Sequence, residues 1–295
     1  MSAMVARALS KVGIILEMIK FEHTVFALPF ALTSTMLGAN GMPNLRVLAW
    51  ILVAMVAARS AAMAFNRIAD LQYDRFNPRT ADRALPRGIL SLAEVWAFTA
   101  VTAGAFVFAA WRLNPLAFAL SPVALLVILG YSYTKRFTNL SHLVLGLALG
   151  IAPVGAWIAV TGRIGLAPIV LSAAVMFWTA GFDIIYALHD IEFDARMGLF
   201  SIPKALGPKK GLFVSRAFHA ITVALLAHFG MLLGLGTAYY VGVAFVICLL
   251  AYEQSLVRPD DFSKADIAFF NTNGFVSIGL FVFALVDLII RKNLA

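Results

Sequence analysis

The sequence predicts an all-α, multi-spanning membrane protein with about nine transmembrane helices. Three observations carry this reading. Of the 295 residues, 62% are hydrophobic and only 13% are charged, against about 25% charged in ordinary soluble domains. The apolar runs are continuous and roughly 20 residues long, which is the length a helix needs to cross a bilayer. They also lack the polar–apolar alternation of a closed β-barrel, the other architecture that satisfies its backbone within lipid.

The runs lie near residues 20–38, 46–66, 94–112, 115–133, 141–161, 166–188, 213–234, 236–256 and 268–290. Arg7 and Lys11 precede the first, and Glu17, Lys20, Glu22 and His23 interrupt its start. A cleaved signal needs a clean apolar core and a small-residue site, so this part reads as an amphipathic lead-in. The second run ends in FNRIADLQYD (65–74), and the sixth ends in DIIYALHDIEFD (183–194). Tight polar breaks, RLNP (112–115) and GLGT (234–237), separate the third from the fourth run and the seventh from the eighth. The single cysteine, Cys248, lies in the eighth run. It excludes an internal disulfide and a cysteine metal cluster, and reads as a small buried hydrophobe. No long linker divides the chain, so residues 1–295 read as one domain.

Charge sets the orientation. The net charge is +8, which in a membrane protein points to inward-facing loops and anionic membrane lipid; no pattern for nucleic acid appears. Of the 23 Lys and Arg, 17 fall on the side of the N-terminus and the even-numbered connections, five (Arg46, Arg112, Arg163, Arg291, Lys292) fall on the other, and Arg59 lies inside a span. Membrane proteins keep Lys and Arg inside, so the N-terminus and the charged loops read as cytoplasmic, in a cell (inner) membrane, with the C-terminus outside.

The two longest charged loops follow runs two and six, and they look alike. Each holds Asp-x-x-x-Asp, then basic residues, then Pro with a basic residue after it. Four spans separate them, which hints at an internal duplication. On a helix, Asn66, Asp70 and Asp74 cover an arc of roughly 80°, and Asp183, Asp190 and Asp194 one of roughly 40°, with Glu192 pointing away. Two such stripes facing each other surround one central cavity with carboxylates. Carboxylates so close repel one another. Mg²⁺ is the natural remedy, since it takes one or two carboxylates, keeps waters and completes its shell with phosphate oxygens. The five histidines have no paired spacing for zinc. The Asp-x-x-x-Asp pairs therefore predict Mg²⁺ bridging to a phosphate or diphosphate, and Arg67, Arg79, Arg83, Arg87, Lys135 and Lys204 could balance the remaining phosphate charge. An ion-coupled transporter is the reading from another class. It would place its carboxylates near the midplane, whereas here they gather at one face among Arg and Lys.

These residues resemble the UbiA-type intramembrane aromatic prenyltransferases. The motifs are NRIADLQYD with NPRTADRALPRG behind it, DIIYALHDIEFD with SIPKALG behind it, and YSYTKRFTNLSH between, whose Tyr131 and Lys135 look like the family's Tyr-x-x-x-Lys. The resemblance spans nearly the whole chain. It implies that Asn66, Asp70, Asp74, Asp190 and Asp194 bind Mg²⁺ and, through it, an allylic polyprenyl diphosphate. Arg67, Arg79, Arg83, Lys135 and Lys204 become candidates to hold the diphosphate, Tyr131 and Lys135 catalytic candidates, and Asp183 a supporting residue. The implied acceptor is an aromatic carboxylic acid. Arg67, where many members have Asp, looks like the branch that uses 4-hydroxybenzoate. The stretch IKFEHTVFALPFA (19–31) looks like a bacterial subgroup some of whose members would instead prenylate a dihydroxynaphthoate in menaquinone synthesis. Lys20, His23 and Arg136 are candidates for the acceptor's carboxylate, and Phe65, Tyr73, Tyr131, Tyr133, Phe182 and Tyr186 for facing an allylic cation. The lipid-soluble tail would enter between helices from the bilayer.

Overall fold

A computed structural model of the chain describes residues 11, 13–19, 26–265 and 272–294. The helices are α1 (Leu28–Gly38), α2 (Leu45–Asp74), α3 (Leu92–Leu113), α4 (Pro115–Gly130), α5 (Ser141–Thr161), α6 (Leu166–Ala187), α7 (Ile191–Arg196), α8 (Ile202–Leu206), α9 (Pro208–Leu232), α10 (Thr237–Ser255) and α11 (Asn273–Leu294). Short 3-10 turns, Tyr131–Arg136 and Leu188–Asp190, extend α4 and α6. Among the described residues, eight helices are long and apolar enough to cross a membrane, and the chain is a multi-pass membrane protein. The first of the nine expected spans is represented by the shorter α1; its predicted start, residues 20–25, lies outside the described residues, as do 266–271 before α11.

Local chemistry explains the helix ends. The Asn44 side chain caps α2 by accepting the Arg46 N–H at 2.9 Å. Ser91 and Glu94 form a reciprocal capping box at the start of α3, which satisfies amides that a helix N-terminus leaves open. Asn114 ends α3 and starts α4: its side chain accepts from the Ala117 N–H and donates to the Ile158 carbonyl of α5. Pro122 lies inside α4, so the Phe118 carbonyl loses its helical donor. The Ser121 hydroxyl replaces it at 2.8 Å, as Ser does for backbone freed within lipid.

The helices pack in a closed succession. α1 lies on α5, α5 on α6, α6 on α9, α9 on α10, α10 on α11 and α11 back on α1, while α2, α3 and α4 form a second group joined to α5. The α6 span is the most enclosed, and Trp178 on it is fully buried against Phe26, Phe30 and Phe182. The backbones of α5 and α6 touch where α5 offers glycine. A Cβ on Gly146 would stand 2.2 Å from the Met176 carbonyl oxygen, and one on Gly150 2.7 Å from that of Ser172. Small residues four apart permit this approach within lipid, where packing replaces the hydrophobic effect between helices. Cys248 departs from its expected burial: it is exposed on α10. Residues 241–251 around it are apolar throughout, so no polar stripe there reveals which face is buried.

Gly146→Ala is expected to cost about 1–3 kcal/mol through overpacking and to lower the thermal midpoint in detergent by several degrees. Gly104→Ala on α3, where an added Cβ meets nothing within 4 Å, is the matched control and should leave the midpoint in place.

Candidate active site

The predicted stripe on α2 forms because the helix does not stop at the apolar run. It continues unbroken to Asp74, keeping Asn66, Asp70 and Asp74 on successive turns of one face. The Asn66 amide donates to Asp70 Oδ2 at 2.9 Å and to the Ser132 hydroxyl at 3.4 Å. The loop beyond α2 then turns back: the Asn77 side chain accepts the Arg79 N–H and the Thr80 hydroxyl donates to the Asp74 carbonyl. This return brings Arg83 Nη1 to both oxygens of Asp74, at 2.9 and 2.8 Å. It also aims Arg79 across the cavity, where Nη1 donates to Asp190 Oδ1 at 2.9 Å and the guanidinium covers the Tyr186 ring.

The second stripe is built differently. Instead of one regular helix, α6 tightens into the 3-10 turn Leu188–Asp190 before α7. Asp194 is buried and Glu192 exposed, so the expected split between the two survives the change in winding. Asp183, one span-turn deeper, pairs with His142 at 2.6 Å.

Lys135 joins the two stripes. The 3-10 turn Tyr131–Arg136 holds it, and the Phe200 N–H binds its carbonyl at 2.7 Å. It lines the same cavity as Asp70, Asp183, Asp190 and Asp194, whose negative charges act on its ammonium. Asn66, Arg67, Asp70, Asp74, Arg79, Arg83, Tyr131, Lys135, Asp183, Asp190 and Asp194 all line one cavity of about 300 Å³.

Other expectations meet a different outcome. Lys204 does not line this cavity; its ammonium is taken up by the Leu199 carbonyl and lies over the Phe200 ring. Arg67 reaches the wall, but its Nε donates to the Met18 carbonyl at 3.2 Å, anchoring the N-terminal segment on α2. Arg136 does line the cavity, and it also straps the turn to α2 through the Ala69 carbonyl, between the Tyr73 and Tyr133 rings. Lys20 and His23 lie outside the described residues. Tyr73, Tyr131, Phe182 and Tyr186 face the cavity, joined by Phe26, whereas Phe65 and Tyr133 pack against each other away from it.

A second, apolar chamber of about 400 Å³ adjoins the first, between α2, α4 and α5. Arg59, Tyr131, Leu145 and Leu149 line both. Sequence reading placed Arg59 in a span without giving it a task. An ionisable residue within a span is costly unless it serves a site, and this was the available signal.

The wall suits a hard divalent cation. Asp194 Oδ2 is buried with no hydrogen-bond partner, and the Asp and Asn donors supply only oxygens, as Mg²⁺ prefers. Among the described residues, no three His, Cys, Asp or Glu side chains form a ready-made metal cage.

Residues 27–278 match the UbiA prenyltransferase family. The 4-hydroxybenzoate octaprenyltransferase of Vibrio cholerae is 32% identical over 242 residues, 82% of this chain and 85% of that protein. The apo structure of a UbiA homolog from Aeropyrum pernix K1 superposes with a TM-score of 0.78 at 35% identity, covering 92% of this chain and 98% of that one. A UbiA homolog from Archaeoglobus fulgidus bound to GPP and Mg²⁺ shares the fold, with a TM-score of 0.73 at 19% identity over 93% of this chain and 99% of the other.

Proposed function

The chain belongs to the UbiA prenyltransferase family, and on that footing we propose that it transfers a polyprenyl chain from an allylic polyprenyl diphosphate to the ring of 4-hydroxybenzoate, in quinone biosynthesis. One observation supports this most: a carboxylate- and cation-lined cavity adjoins an apolar chamber, the two sharing Arg59, Tyr131, Leu145 and Leu149 in their walls. A diphosphate needs the first and an isoprenoid tail the second. The similarity to the Vibrio cholerae hydroxybenzoate enzyme supports the acceptor. The alternation of basic loops supports a membrane orientation with the polar cavity on the cytoplasmic side.

Asp70 and Asn66 on one wall and Asp190 and Asp194 on the other would hold Mg²⁺, with Asp74 beside them. When bound, Mg²⁺ supplies a positive charge that neutralises diphosphate oxygens. Lys135 is already between the two walls and binds the same oxygens. Arg79 and Arg83 each hold a carboxylate here, and an arriving diphosphate offers them an alternative anion. These cations stabilise the departing diphosphate as the allylic C–O bond breaks and its electron pair leaves with oxygen. The ring carbon ortho to the phenol forms the new C–C bond and then releases its proton. Phe26, Phe182 and Tyr186 present ring faces that stabilise a cation without attacking it, and the apolar chamber keeps out water that would capture it. Arg59, which lines both chambers, would receive the acceptor's carboxylate.

Purified protein incubated with a polyprenyl diphosphate and Mg²⁺ should prenylate 4-hydroxybenzoate, read by product mass. Turnover of 1,4-dihydroxy-2-naphthoate or 1,4-dihydroxy-6-naphthoate in its place would move the acceptor to the menaquinone type; no product from any of the three would overturn the enzyme class. Asp70→Ala should lose about 100-fold or more of this activity while still inserting in the membrane, and full turnover would remove Asp70 from the metal site. Arg59→Leu should raise KM for hydroxybenzoate about 10- to 100-fold, as expected for losing a charged hydrogen bond. The KM for the diphosphate should hold steady, and an unchanged acceptor KM would clear Arg59 of that role.

A further inference from the structure

His142 is fully enclosed and absent from the cavity wall, so neither substrate can touch it there. It occupies the first turn of α5, between two parts of the site. Its Nδ1 lies 2.6 Å from Asp183 Oδ2, and its Nε2 meets the Ile202 backbone N–H at 3.3 Å. Ile202 opens α8, and the first amides of a helix find no partner within it. A backbone N–H can only donate, so Nε2 is the bare nitrogen of the imidazole. Nδ1 therefore carries the hydrogen and donates it to Asp183. The network itself fixes the tautomer, as it does for imidazoles whose second nitrogen is engaged.

Each bond of this imidazole leads to a different element of the site. Asp183 lines the same cavity as Lys135. It belongs to neither Asp-x-x-x-Asp pair, so it can stay with the lysine while the paired carboxylates turn to the substrate. On the other side, the stretch of chain leading into Ile202 holds both groups by their backbones: the Leu199 N–H binds the Asp194 carbonyl at 2.9 Å, and the Phe200 N–H holds the Lys135 carbonyl.

We propose that His142 is a positioning residue for diphosphate binding: it aligns Lys135 through Asp183, and Asp194 through the start of α8. This rests on the prenyl-transfer function proposed above. Partners that orient the groups around a metal site typically contribute 10- to 100-fold to affinity or activity, and His142 falls in that range by acting on both sides at once.

The test uses the full chain in detergent, with geranyl diphosphate and Mg²⁺ as the binding probe and 4-hydroxybenzoate turnover as the second readout. His142→Leu should weaken geranyl diphosphate binding and lower kcat by 10- to 100-fold each, with the KM for hydroxybenzoate moving less than threefold. His142→Asn keeps a donor near the Nδ1 position and should recover about tenfold of that loss. His142→Gln keeps an acceptor for Ile202 and serves as a folded comparison if the leucine variant fails to assemble; it should bind geranyl diphosphate more weakly than His142→Asn. In an Asp183→Asn background, His142→Gln, which keeps the acceptor for Ile202, should cost less than threefold more, because the link through Asp183 is already cut. Binding and kcat within threefold of the parent in His142→Gln, or losses that multiply with Asp183→Asn, would overturn the positioning role alone. A parent protein that binds no geranyl diphosphate would overturn the functional reading and this inference with it.

Discussion

Charge balance around Lys135 is the constraint on which the site depends. Carboxylates from two distant helices share one small cavity within a membrane-embedded bundle. Buried charges of one sign are tolerated only with partners close by. Lys135 sits among four of them, while Arg83 neutralises Asp74 and Arg79 neutralises Asp190. The Arg79–Asp190 pair also joins the loop after α2 to the end of α6, 111 residues apart in sequence. Cations that compensate the site therefore also hold its halves together.

Around this polar centre the backbone is fixed by bonds that leave the carboxylates available. Phe200 binds the carbonyl of Lys135 rather than its ammonium, and Arg136 and Arg67 are tied to the carbonyls of Ala69 and Met18. Arginine suits such straps because its several donors can serve a carbonyl and an aromatic face together. The apolar chamber next to the cavity has few polar side chains in its wall. A chain segment entering it meets mainly Ala, Leu, Ile and Val side chains. The division between the two chambers separates a part that binds charge from a part that only accommodates length.

Much of this was legible in the sequence, because the signals there are local. Apolar run length marked the spans, and helical spacing placed Asn66, Asp70 and Asp74 on one face and Glu192 away from Asp194. The same signals fail where a residue's role is set by a turn in a loop or by a contact between helices. Lys204 sits in a basic, motif-rich stretch, yet α8 begins so close to Leu199 that a backbone carbonyl captures its ammonium. Arg67 adjoins Asn66 in sequence, but one residue along a helix is 100° around it, so its guanidinium meets the N-terminal segment instead of following Asn66. Cys248 lies in the apolar stretch 241–251, where no pattern distinguishes an outer face from the core. His142 belongs to no recognisable pair, since its partners lie 41 and 60 residues away.

The ion pairs also bear on how such a site could fill. Asp74 and Asp190 are engaged by arginines, so a cation approaching them alone must compete with a guanidinium already in place. A diphosphate alone would meet Lys135, Arg79 and Arg83 but also the carboxylates beside them. Arriving together on the proposed function, the two would let Arg79 and Arg83 exchange a carboxylate for a phosphate while Asp190 and Asp74 exchange a guanidinium for the metal. Each ligand then lowers the cost of the other's binding, and by linkage the coupling is reciprocal. On the proposed function, this favours holding the diphosphate only in its metal-bound form, the form in which the leaving group's charge is already neutralised.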